Sequence, residues 1–174
     1  MEASVPFYAK HSNFRLTSAL RTTPTAGDFP LLLDHCAPLF PSEVTVANSD
    51  FSLVQCDLTT SKVLGTFQQG HTDKVNALRY AGVSDNEHLA HAVITASSDK
   101  TVKLWDRRTG TPVADLKHQN QPFYSVDTNK QLICAGGHSE VVFWDLRKLK
   151  VALDYRDSHT DDVTAVRFHP RDPQ

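Results

Sequence analysis

The feature that most constrains this chain is a repeat inside it. Ser158-His159-Thr160-Asp161-Asp162-Val163-Thr164-Ala165-Val166-Arg167-Phe168 matches Gly70-His71-Thr72-Asp73-Lys74-Val75-Asn76-Ala77-Leu78-Arg79-Tyr80 almost position by position. A repeated unit of this size cannot bury its apolar face alone and must stack on its neighbours. The residues after the first copy show what the unit is made of. Val75, Ala77 and Leu78 form one apolar run, and Ala92, Val93 and Ile94 form a second. From Thr101 to Trp105 the pattern alternates, with Val102 and Leu104 facing one way and Thr101, Lys103 and Trp105 the other. Period-two alternation predicts a strand, and Ser97-Ser98-Asp99-Lys100 predicts the turn before it.

The same punctuation runs through most of the chain. Strands are predicted at Phe29 to Cys36, Glu43 to Asn48, Phe51 to Asp57 and Lys62 to Phe67. Another is predicted at Pro112 to Leu116, followed by Phe123 to Asp127, Gln131 to Ala135, Val141 to Trp144 and Val151 to Tyr155. Val163 to Phe168 predicts one more, and Gly82 to Leu89 reads as an insertion between two strands.

The stretch from Gly70-His71 to Trp105-Asp106 resembles a blade of the WD-repeat β-propeller family, and the resemblance extends from Glu43 to Pro170. It implies an all-β fold: a WD-repeat β-propeller present as an incomplete N-terminal half, about three blades plus one strand. The blades fall at about 29–69, 70–118, 119–157 and 158–174. An arm over residues 1–28 precedes them and supplies a closing strand, Phe7 to Leu16. The same arm, basic and rich in Ser and Thr after Glu2, also has the composition of a mitochondrial transit peptide, although Pro6 interrupts an early amphipathic helix. Closed rings have about four to eight blades, so the ends of this partial ring are expected to need covering by further blades or a partner.

The resemblance also implies a hydrogen-bond chain of four residues, His71, Thr95, Asp99 and Trp105. The chemistry agrees. An indole N–H only donates, so it needs an acceptor when buried. The Thr95 hydroxyl can accept that proton and give its own to His71, whose other nitrogen can donate to Asp99. In the first blade Cys56 stands at the tryptophan position and Val46 at the hydroxyl position, with Asp50 kept as the turn acid. In the third, Trp144-Asp145 is kept but Cys134 and His138 replace the hydroxyl and the acid. The four-residue chain is therefore expected only in the second blade.

Thr95, His71 and Asp99 are also the residue types of a hydrolase triad, which makes hydrolysis at Thr95 an alternative. A catalytic hydroxyl must be free, whereas this one is expected to be tied to Trp105. No nucleophile elbow of the G-x-S-x-G type is present. His35-Cys36 and the pair Cys134 and His138 lack metal-ligand spacing, so neither metal nor cofactor is expected. Trp105-Asp106-Arg107-Arg108 and Trp144-Asp145-Leu146-Arg147 share the form W-D-x-R. In the WD-repeat family this resembles the box by which substrate receptors dock on the adaptor of cullin-four ubiquitin ligases. Asp106, Arg108, Asp145 and Arg147 are the residues it would use.

With 18 basic and 20 acidic residues in 174, no charge sign dominates, and neither nucleic acid nor a membrane surface is expected as a partner. Three scattered cysteines, Cys36, Cys56 and Cys134, suit a reducing compartment, the cytoplasm or nucleus. The expected function is a non-catalytic protein–protein interaction scaffold, with ligase-receptor duty as one form of it. The alternative is an assembly or regulatory platform in ribosome or chromatin complexes.

Overall fold

A computed structural model describes residues 27–35, 41–81, 91–129 and 131–169. The arm strand expected before residue 27, Cys36 and the Gly82 to Leu89 insertion lie outside the described residues. Among the described residues twelve strands follow in chain order: β1 (Pro30–His35), β2 (Glu43–Asn48), β3 (Leu53–Asp57), β4 (Lys62–Thr66), β5 (Val75–Tyr80), β6 (Ala92–Ser97), β7 (Thr101–Asp106), β8 (Thr111–Lys117), β9 (Phe123–Thr128), β10 (Leu132–Gly137), β11 (Val141–Asp145) and β12 (Lys150–Tyr155). They form three four-stranded antiparallel sheets, each ordered as its strands occur in the chain. The fold is all-β, three blades of a propeller.

Stacking of the blades explains the burial pattern. All six residues of β6 are buried, because this strand has a blade on either side. Its Val93, with Trp105 of β7, packs against Ala47, Leu53 and Phe67 of the first blade. Ile94 and Ala96, with Val102 and Leu104, pack against Phe123, Val126, Ile133 and Trp144 of the third. Burying one such side chain fully contributes roughly 1.5–3 kcal/mol, so the two inter-blade layers supply most of the cohesion. Outer strands are wet by comparison, and every residue of β4 is exposed.

Each blade repeats the same irregularities. The pairing of its third and fourth strands slips at one equivalent place, between Gln55 and Cys56, Leu104 and Trp105, and Phe143 and Trp144. A bulge there bends and twists the strand. The turn that follows is also shared. Asp57, Asp106 and Asp145 each accept the backbone N–H two residues on, from Thr59, Arg108 and Arg147. Four residues after each aspartate the backbone turns left-handed, at Ser61, Gly110 and Leu149, with φ of 53°, 65° and 52°. Gly110 is the one of the three that adopts this without a side-chain penalty.

Val163 to Phe168 departs from expectation. It is not a strand, because among the described residues no second strand of its own blade lies beside it. It instead runs along β9 from the end of β10, held by Val163 N–H to Gly137 O of β10 (3.0 Å), and on β9 by Ser125 Oγ to Val163 O (2.7 Å) and Phe168 N–H to an Asp127 carboxylate oxygen (2.7 Å). Gly136 makes this approach feasible. A Cβ there would lie 2.6 Å from both Ser125 Oγ and Val163 O. Gly136→Ala is therefore expected to cost about 1–3 kcal/mol, as overpacking typically does. Gly137→Ala, whose nearest neighbour is Pro122 O at 3.2 Å, should cost less. Urea unfolding of the two variants checks this, and equal losses would refute the close approach.

Candidate functional site

The second blade assembles its polar chain from four places in the sequence. His71 precedes β5, Thr95 lies mid-β6, Asp99 sits in the β6–β7 turn and Trp105 is near the end of β7. The Trp105 indole N–H donates to Thr95 Oγ1 at 2.9 Å. Thr95 Oγ1 lies 2.6 Å from His71 Nε2, and His71 Nδ1 lies 2.8 Å from Asp99 Oδ2. Since the indole only donates, the hydroxyl proton of Thr95 points to His71. Nε2 then accepts, and Nδ1 carries the proton that faces Asp99.

Asp99 is the anchor of this chain. It also accepts the backbone N–H of Thr72 and of Thr101, and the Thr101 hydroxyl at 2.6 Å. Its own backbone N–H is held by Ser97 Oγ, which donates to the carbonyls of Asp73 and Lys74. Burial pushes the Asp99 carboxyl up, but the hydrogen bonds from His71, Thr101 and Thr72 outweigh it and hold the group well below the usual carboxylate range. Thr95 is fully buried, with its hydroxyl engaged on both sides. Nothing in this arrangement leaves an exposed nucleophile.

The other two blades keep parts of the scheme. In the first, Asp50 accepts the Ser52 backbone N–H and hydroxyl, just as Asp99 does with Thr101. Cys56 fills the tryptophan position, fully buried, and burial pushes its thiol up. In the third, Trp144 packs edge-on against Phe123, with ring centres 5.6 Å apart. Cys134 is buried there, and burial, then the nearby Asp127 charge, push its thiol up to about 12. Such a thiol behaves as a small apolar group. His138 is exposed and turns outward to Asp162, 2.7 Å away. Cys134 and His138 thus form no common site.

The W-D-x-R corners sit in equivalent turns of neighbouring blades. Arg108 is half-exposed, and its Nε and Nη2 both donate to the Asp106 carboxylate, at 3.1 and 2.8 Å. The Arg108 guanidinium holds that carboxyl below its ordinary value. Arg147 is exposed, while Asp145 accepts the backbone N–H groups of Arg147 and Lys148. Both aspartates therefore shape their turns, and the arginines face solvent. Arg107, beside Arg108, turns inward and pairs with Glu43 of the first blade.

Cross-blade polar contacts had no signal in the sequence. The buried Thr45 hydroxyl meets the Tyr80 hydroxyl at 2.7 Å. The Tyr80 N–H donates to Asp34, and Asn76 Nδ2 donates to the carbonyl of Phe123 at 2.9 Å. Each joins elements from different blades, where no periodicity reports the pairing.

A Trp-Asp close, a buried Trp–Thr–His–Asp chain and stacked four-stranded blades are the architecture of a WD-repeat β-propeller. The family model described as "WD domain, G-beta repeat" matches residues 61–106. The WD repeat-containing protein 89 homolog of Dictyostelium discoideum is 33% identical over 132 residues, covering 76% of this chain and 34% of that protein. The WD repeat-containing protein GTS1 of Arabidopsis thaliana is 30% identical over 141 residues, covering 74% and 36%. The chain thus spans about a third of the length of these relatives. Histone acetyltransferase type B subunit 2 of Candida glabrata is 29% identical over 108 residues, covering 60% and 25%. Among solved structures, the computationally designed Ika4 protein superposes with a TM-score of 0.70 at 21% identity, over 88% of each chain, a likeness of fold alone.

The Asp99 geometry sets a pH dependence. A carboxyl lowered in the folded state stabilises the fold fully above its unfolded pKa, about 3.9, and loses that contribution as pH falls through the folded value. Melting temperature should therefore fall as pH drops below about 4. Asp99→Asn should flatten part of that slope and cost about 1–3 kcal/mol at neutral pH, as a buried charge partner is lost. Thermal melts from pH 3 to 7 check both, and an unchanged slope in the variant would contradict the assignment.

Proposed function

We propose that this chain is part of a non-catalytic protein-interaction scaffold working in the cytoplasm or nucleus. The observation that carries the reading is the state of Thr95. The residue types of a hydrolytic triad are present, but the hydroxyl is buried and spent on Trp105 and His71. That makes them a structural pin, and leaves the exposed turns and edges of the blades as the surfaces that meet other molecules.

Within this reading, the corners at Arg108 and Arg147 are the proposed docking residues for the adaptor of a cullin-four ubiquitin ligase. Their support is positional. They occupy the same place in the turns of consecutive blades, each two residues after an aspartate that fixes the turn. A guanidinium is a planar fork of donors suited to carboxylates and carbonyls. Asp106 already orients the fork of Arg108. A second reading, an assembly platform, has separate support in the similarity to a protein named as a histone acetyltransferase subunit.

The test replaces Arg108 and Arg147 together by Ala and compares recovery of the ligase adaptor in a pull-down, with circular dichroism as the folding control. Stability should change by no more than about 0.5 kcal/mol, as for exposed positions generally. Adaptor binding should weaken by about 1–3 kcal/mol, the scale of lost charge-assisted hydrogen bonds. Lys at both positions should rescue poorly. Equal recovery from the variant, or none from the wild type, would leave the assembly-platform reading.

A further inference from the structure

At the outer edge of the third blade three ionisable side chains converge. His118 follows β8, Glu140 lies in the turn before β11, and Asp154 is on β12. One nitrogen or oxygen from each lies within 4.8 Å of the others. A separate observation says that the group lacks a component. Glu140 is only 3% exposed, yet its Oε1 is buried without a hydrogen-bond partner. Asp154 Oδ1 is buried without one too. Buried carboxylate oxygens are costly to leave unpaired, and here both belong to residues of one cluster. Asp154 Oδ2 is occupied by His118 Nε2 at 3.1 Å and by Arg156. One guanidinium against two carboxylates leaves the group net negative.

We propose that His118, Glu140 and Asp154 bind a divalent first-row cation, of which Zn²⁺ is the best match. An imidazole nitrogen beside two carboxylates suits zinc better than magnesium or calcium, which take oxygen ligands almost alone. Three protein ligands leave a position for water, and the His118 and Asp154 side chains keep 14% and 16% of their surface exposed, enough for an ion and water to enter. Tetrahedral zinc holds its ligand atoms roughly 3.3 Å apart. His118 and Asp154 already stand at that spacing, so binding mainly requires Glu140 to settle against them, and His118 Nε2 exchanges its contact with Asp154 for the metal. The bound ion ties the segment between the second and third blades to the edge of the third, a staple across the blade boundary. A second acidic group with a histidine among the described residues, His138 with Asp161 and Asp162, is fully on the surface, and its His138–Asp162 pair is satisfied.

The experiment uses the full chain, stripped with a chelator and titrated with Zn²⁺ by calorimetry, with thermal melts in parallel. One equivalent should bind and raise the melting temperature, since a ligand that binds the folded state alone stabilises it. Glu140→Gln should weaken binding at least tenfold and abolish the thermal shift. His118→Asn, at a more exposed position, should do the same and covers the case in which the Glu140 variant does not fold. His138→Ala should bind as the wild type does. With Co²⁺ in place of zinc, the spectrum should lack thiolate charge-transfer bands, which separates this site from the cysteines. No binding by the wild type, or binding undisturbed by both Glu140→Gln and His118→Asn, overturns the proposal.

Discussion

A buried indole N–H must find an acceptor, and much of the second blade is arranged around that requirement. Trp105 is fully buried between two blades, where Phe67 meets it edge-on with ring centres 5.6 Å apart. The acceptor is Thr95 on the neighbouring strand, reached diagonally, since Trp105 pairs with Val93 and Thr95 with Lys103. Thr95 in turn needs His71 to take its proton, and His71 needs Asp99. The demand passes from the strand core to the turn, where Asp99 also fixes the backbone of Thr72 and Thr101. One large side chain thereby ties together the segment before β5, strand β6, the β6–β7 turn and strand β7. Buried networks of this kind stabilise only when every member is satisfied, so the four residue types stand or fall as a set.

The neighbouring blades stand without the full set. The first replaces Trp and Thr by Cys56 and Val46, both buried and apolar in behaviour, so no donor is left to satisfy. The third keeps Trp144 but places Cys134 where the hydroxyl would be, and His138 swings outward to Asp162. What all three share is the bulge before the tryptophan position and the aspartate-closed turn after it. Those features bend the outer strand of each blade, while apolar stacking between blades carries the cohesion. The Trp-Asp signature therefore joins two separate roles: the tryptophan fills the core, and the aspartate builds the turn that presents Arg108 and Arg147.

Legibility in the sequence followed the range of the signal. Apolar runs and the turn residues between them placed ten of the twelve strands within a residue or two, because both signals are local; β5 and β6 showed only as the apolar runs at Val75 to Leu78 and Ala92 to Ile94. The residues of the Trp105 chain could be named because the stretch resembles a WD-repeat blade, in which such a chain falls within one repeat. The Thr45–Tyr80 contact, the Asn76 bond to Phe123 and the Arg107–Glu43 pair join different blades, and nothing in local pattern reports them. Val163 to Phe168 has the sequence of a first strand, yet a strand exists only when another pairs with it. Gly136 has no local signal of its own, and only the approach of Val163 shows why a side chain is excluded there. Glu140 carries no local pattern that separates a buried acid from an exposed one.

The central claim is that Thr95 and Asp99, which do not touch, stabilise the blade through His71 as one unit. The direct measurement is a double-mutant cycle with Thr95→Val, Asp99→Asn and the pair, each unfolded in urea. If His71 couples them, the first substitution leaves the second less to lose. The double variant should then fall short of the summed losses by about 0.5–3 kcal/mol. Losses that add to within about 0.5 kcal/mol would mean that the two residues act independently, and that the chain of hydrogen bonds is not the unit described.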